Sequence, residues 1–149
     1  MSTLADSNTQ AACCDRLSRI RPDTLPKWGR MTAHQMVCHL DDSFRVATGD
    51  KYASPAFNLF SRTVMKWVAL RTAVPWPKGV KTRPEVDQAV GGTAPTDWAA
   101  DCARLRRSIT AFASVKSFHP HPLFGEMSQR DWMVWGYRHV DHHFRQFGV

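Results

Sequence analysis

The chain has 149 residues, 43% hydrophobic and 11% aromatic, which excludes wholesale disorder and fits one domain spanning 1–149. Twenty Lys and Arg against 13 Asp and Glu give a formal net charge of +7, which permits an acidic partner without demanding one. No apolar run approaches the ~18–20 residues that cross a bilayer, so no membrane partner is expected.

The polar start Met1–Gln10 lacks the charged and apolar regions of a secretory signal. Residues 1–8 are expected as a flexible tail. The four cysteines, Cys13, Cys14, Cys38 and Cys102, form no CxxC pair. Adjacent Cys13 and Cys14 make a poor disulfide framework, so free thiols in a reducing cytoplasm are expected. Cys38 and Cys102 read as small hydrophobes of a helical core.

Helical periodicity dominates the chain. Ser7-x-x-Gln10 is a capping box that opens a first helix running to Ile20, with Cys14, Leu17 and Ile20 on its weak apolar face. Arg21-Pro22 ends it, and a linker carrying Trp28 follows. Thr32-x-x-Gln35 caps a second helix, in which Met36, Val37, Leu40, Phe44 and Ala47 recur at helical spacing before Gly49 stops it. Ser54-Pro55 opens a third, with Phe57, Phe60, Val64 and Trp67 on one face. From about Ala73 to Pro95 the chain carries too many Pro and Gly for a helix. Thr96 caps a fourth helix along Trp98, Cys102, Leu105, Ile109 and Phe112, and Arg104-Leu-Arg-Arg107 reads as its solvated face. Ser128-x-x-Asp131 caps the last helix, which runs close to the C-terminus. The pattern is all-α, an antiparallel helix bundle.

The histidines carry the chemistry. On a wheel of the last helix, Trp132, Gly136, His139, His143 and Phe147 share a narrow buried arc, and His142 lies at its flank. Two imidazoles one turn apart on an inward face form a metal chelate or a pair satisfied by hydrogen bonds. His39 lies beside the apolar arc of the second helix and is the natural third ligand; His34 falls nearer solvent. Three imidazoles from two helices leave a coordination position open, as catalytic sites do. Such a set suits zinc, nickel, iron or copper, with zinc or nickel preferred and manganese a further option. Asp42 is one turn from His39 and reads as solvent-facing rather than supporting it. Ser43, Phe44, Trp132, Trp135 and His121 are candidates for a pocket wall, His121 from a His-Pro-His-Pro turn. Trp76–Thr82 of the long segment is expected to pack over or beside the histidines, since an open position needs a cover.

Met31-Thr-Ala-His-Gln-Met-Val-Cys-His39-Leu, the His139-x-x-x-His143 pair and Arg145-Gln-Phe-Gly148 together resemble the DinB/YfiT-like superfamily. His121-Pro-Leu-Phe-Gly125 and Pro77-Lys-Gly-Val-Lys-Thr82 point to an uncharacterised branch of it. The resemblance implies a four-helix bundle with a long crossover, and a divalent metal on His39, His139 and His143. It also implies a small-molecule substrate, with a low-molecular-weight thiol used by some relatives, and does not imply nucleic-acid binding; a homodimer is expected. The expectation is therefore a metal-dependent thiol transferase or a hydrolase, with no catalytic base evident. The alternative is a non-catalytic helical bundle that binds a metal or an apolar ligand.

Overall fold

Side-chain caps decide where the helices begin. In the computed structural model, which describes residues 1–149, five α-helices form and no strands. They are α1 (Ser7–Ser18), α2 (Ala33–Thr48), α3 (Lys66–Arg71), α4 (Trp98–Ala111) and α5 (Gln129–Gln146). A π-helical turn, Ser61–Met65, leads directly into α3. The boxes at Thr32 and Ser128 form as expected, each reciprocated by the residue three positions on, and Gly49 closes α2 at φ 84°.

Two starts differ by one residue. Asp6 rather than Ser7 caps α1, accepting from the N–H groups of Asn8 and Thr9. Asp97 caps α4, its carboxylate accepting the Ala100 N–H at 2.7 Å, while the Thr96 N–H donates to the Asp101 carboxylate at 3.1 Å.

The third helix departs most from expectation. Ser54 does not cap it: its N–H is taken by Glu85 and its hydroxyl by Arg83. The cap is Asn58, which exchanges hydrogen bonds with Ser61 in both directions at 2.8 and 2.9 Å. Helix therefore starts only at Leu59, and Phe57 lies outside it. Its apolar residues do not face the core, since Phe60, Val64 and Trp67 stand exposed while Ser61 and Leu70 are buried.

α1 packs on α4 and α5, α2 packs on α4 and α5, and α3 lies outside against α5. The core they share includes Leu17, Met36, Leu40, Leu105, Ile109, Phe112, Trp132 and Phe144. The first residues are no loose tail. Leu4 is fully buried, its N–H donates to the Met133 carbonyl at 3.1 Å, and its methyl fits over Gly136. A Cβ at Gly136 would stand 2.8 Å from Leu4 Cδ1 and 3.1 Å from the Phe112 ring, so only glycine admits the contact.

Polar groups stitch the same layers. Asp101 on α4 is fully buried and pairs with His34 of α2 at 2.7 Å and with Arg104 at 2.6 Å. Burial opposes its ionisation, yet the Thr96 N–H, His34 and Arg104 hold its carboxyl below the usual range. Arg104 also reaches the buried Asp41 of α2, so this residue bridges α4 to α2 rather than belonging to a solvated face. Cys38 is buried, and burial with Asp101 beside it pushes its thiol up to about 12; Cys102 is only half-buried.

Truncating Leu4 tests whether the N-terminal residues belong to the core. Leu4→Ala should lower the unfolding free energy by about 2–4 kcal/mol, the range for a buried leucine that leaves a cavity. Urea titration reads it as a shift of midpoint at constant slope.

Candidate metal centre

α2 and α5 bring three imidazoles together. His39 is buried on α2, and His139 and His143 stand one turn apart on α5. Ring centroids lie 5.1 Å apart for His39–His139, 4.8 Å for His39–His143 and 4.9 Å for His139–His143. One ligand atom from each lies within 4.8 Å of the other two. These are the three residues expected as ligands.

The tautomers of two of them are dictated by partners that can only accept. His39 Nδ1 lies 2.8 Å from the Val86 carbonyl, so Nδ1 carries the proton and Nε2 the lone pair. His143 Nδ1 lies 2.8 Å from Gln146 Oε1. The orientation of that amide is set in turn, because its NH2 donates to the Trp28 carbonyl at 2.8 Å. His143 Nδ1 is therefore the donor and its Nε2 is free to ligate. The approach of Gln146 depends on Gly29, where a Cβ would stand 2.8 Å from the amide nitrogen.

Burial keeps all three rings neutral. It lowers His39 despite the Val86 bond, and it lowers His139 and His143 well below the ordinary histidine value, with the neighbouring imidazoles adding to the effect. His39 Nε2 and His139 Nε2 face one another at 3.2 Å. Three imidazole nitrogens converging in this way are a donor set that a cation satisfies, and without one a His139 Nε2–H donates to the His39 Nε2 lone pair.

The walls are aromatic. Trp135 lies 4.9 Å from His139 on the core side, and Trp76 lies 6.0 Å from His139 and 6.2 Å from His142 on the solvent side. Trp76 thus stands where the long segment was expected to cover the histidines. It is anchored by its indole N–H to the Ala69 carbonyl at 3.1 Å, and Arg138 donates to the carbonyls of Thr72 and Val74 beside it. His142 sits at the flank, edge-on to Trp28 at 5.9 Å and outside the convergent set. A cleft of about 340 Å³ bordered by Trp76, Tyr137, Arg138 and His142 opens on this side.

The remaining pocket candidates separate. Ser43 donates to the His39 carbonyl within α2 at 2.8 Å, and Phe44 packs on Phe112 and Trp135. Trp132 is buried one ring further in, 5.0 Å from Trp135. His121 stacks on Phe124 at 4.7 Å, and its Nδ1 accepts the N–H groups of Leu123 and Phe124. That role is to build the turn, so of the five candidates only Trp135 touches a ligand ring.

Asp42 is the main correction. It is fully buried rather than solvent-facing, because five groups converge on it. Thr93 donates from its N–H at 2.7 Å and its hydroxyl at 2.6 Å, Gln88 donates at 3.0 Å, Lys51 pairs at 3.2 Å and Arg45 at 3.5 Å. These contacts clamp residues 86–93 to α2 and so hold the Val86 carbonyl against His39. Gln146 lies one turn after His143, a spacing that marks it as a partner; the Val86 carbonyl has no side-chain signal at all. His34, Cys38 and Asp101 form a second convergent group, but Asp101 is already satisfied by Arg104 and the Thr96 N–H.

The packed histidines set an acid limit. His121 is lowered from 6.5 to about 3 by burial, with Lys66 adding to it, so the unfolded chain binds its proton first as pH falls. Its contribution to stability is complete above 6.5 and is lost progressively toward about 3. His121→Asn keeps an acceptor for the turn and does not titrate. Its melting temperature should fall less steeply than the wild type's across that window, as read by circular dichroism at a series of pH values.

No curated protein matches the chain, and no solved structure does. A family described as "Protein of unknown function (DUF1569)" matches residues 4–148. A match that runs from the buried Leu4 through all three imidazoles to the last turn takes in the whole fold and site, and the chain belongs to that DUF1569 family.

Proposed function

We propose that the chain is a metal-dependent enzyme whose divalent ion is held by His39, His139 and His143, and that it acts on a small molecule as a thiol-dependent transferase or a hydrolase. The observation that carries this reading is the pair of acceptor-only partners, Val86 C=O and Gln146 Oε1, which turn two Nε2 lone pairs into one point. Neutral imidazoles as the only protein donors suit zinc or nickel, with iron or manganese next. The ring of packing α1–α4–α2–α5 is the arrangement a four-helix bundle requires, which supports the resemblance to the DinB/YfiT-like superfamily.

A divalent ion there supplies Lewis acidity that makes a thiol or water nucleophilic near neutral pH. The chain's own residues do the rest. Val86 and Gln146 hold the imidazoles in the ligating tautomer. Trp135 and Trp76 wall the position and limit water. His142, half-buried at the flank and lowered by burial, is the titratable side chain placed to accept a proton from a substrate entering by the cleft. One observation favours the non-catalytic alternative: no carboxylate hydrogen-bonds any of the three rings.

Elemental analysis of untagged protein tests the ligand set. His39→Ala, His139→Ala and His143→Ala should each lose the metal, His142→Ala should retain it, and full occupancy in His143→Ala sinks the site. Gln146→Ala should weaken affinity by ~10–100-fold, as losses of a ligand's orienting partner do. Turnover of an electrophile with a low-molecular-weight thiol, or of an ester without one, separates the enzyme from the binding module. Activity present in the wild type and absent in His143→Ala supports the enzyme, and no turnover with metal bound supports the module.

A further inference from the structure

The chain's entire net charge lies in residues 51–84. This segment holds seven Lys and Arg and no Asp or Glu, while the remaining 13 basic and 13 acidic residues cancel. The same segment carries ten of the thirteen large apolar side chains that stand exposed. The two properties meet on the helical run Leu59–Arg71. Phe60, Val64, Trp67 and Val68 recur at i, i+4, i+7 and i+8 on its outer side, with Leu59 beside them. Leu59 is 80% exposed, Trp67 62% and Phe60 58%. Arg62 borders the ridge and stacks on Phe57 without an ion pair; Lys78, Lys81 and Arg83 beyond the helix also form none, Lys78 lying over the Trp28 ring and Arg83 donating to Ser54. Lys66 and Arg71 pair with Asp131 behind the helix.

We propose that this ridge binds the surface of an anionic bilayer, lying in the headgroup region without crossing it. No helix is long and apolar enough to cross. An amphipathic helix with aromatic and aliphatic residues outward, basic flanks and no acidic residue has the chemistry that partitions into an anionic interface. Charge selects among occupants. A second copy brings the same four cations without an ion pair, Arg62, Lys78, Lys81 and Arg83, and no carboxylate from this segment to meet them, so charge disfavours the expected homodimer through this face. The proposal is independent of the metal centre, and it replaces the expectation that no membrane is a partner.

The test uses the full chain with vesicles of phosphatidylcholine alone, and of phosphatidylcholine mixed with phosphatidylglycerol. The expected result is flotation with the anionic vesicles only, with a blue shift in emission that Trp67→Phe removes. Leu59→Ser/Val64→Ser/Trp67→Ser together should cut the partition coefficient by ~100-fold or more, given the apolar area removed. These side chains are exposed, so the melting curve of the triple variant should match the wild type. Three outcomes overturn the proposal. One is no binding to anionic vesicles. The second is binding that the triple variant retains. The third is a dimer, seen by light scattering, that the triple variant abolishes while vesicles bind neither protein.

Discussion

A carboxylate with no exposed surface organises this molecule. Asp42 sits on α2 one turn from His39, and an unpaired charge there costs several kcal/mol. Thr93, Gln88 and Lys51 satisfy it, and two of them come from the proline- and glycine-rich segment that has no helix of its own. That segment is therefore bound to α2 by a charge as well as by the buried Val86. Its course puts the 3₁₀ turn Pro84–Val86 against the site, where the Val86 carbonyl takes the His39 proton. The geometry of the ligand set follows from the pairing of a residue that is not a ligand.

Buried ion pairs are weak evidence for stability, because desolvation offsets most of their attraction. α2 nevertheless buries Asp41 and Asp42, and α4 buries Asp101. Apolar residues of similar size fill such positions at equal or lower cost, so stability does not explain three carboxylates between two helices. What each provides is a fixed register. Asp101 joins α4 to His34, Arg104 joins α4 to Asp41, and Asp42 joins α2 to the long segment. A register fixed by hydrogen bonds holds the convergent histidines of α2 and α5 in place where apolar packing tolerates sliding.

The sequence showed the helices with strong local signals and the histidines on them that converge. The capping boxes at Thr32 and Ser128 and the arc of α5 are local properties, and from them His39, His139 and His143 came together as read. What failed depended on distant partners. Ser54 looked like a cap, but Glu85 and Arg83 claim it, and the weaker Asn58 signal wins. Asp42 looked solvent-facing because Gln88 and Thr93, which bury it, lie 46 and 51 residues on. The Val86 carbonyl is invisible by nature, since a backbone acceptor leaves no mark on residue type. The apolar face of the third helix was legible as a face. Periodicity gives the face and not the direction it points, and here it points away from the core.

That outward helix is also what holds the cover of the site. Trp76 hangs from the Ala69 carbonyl at the end of α3, and Arg138 of α5 grips the carbonyls of Thr72 and Val74 between them. Within Ser61–Arg71 only Ser61 and Leu70 are buried. An element with so little buried area is among the first a protein can displace, well below the cost of opening the main core. Trp76 is tied to that element, whereas the three imidazoles stand on α2 and α5, so the indole beside His139 and the convergent rings are positioned by different parts of the fold.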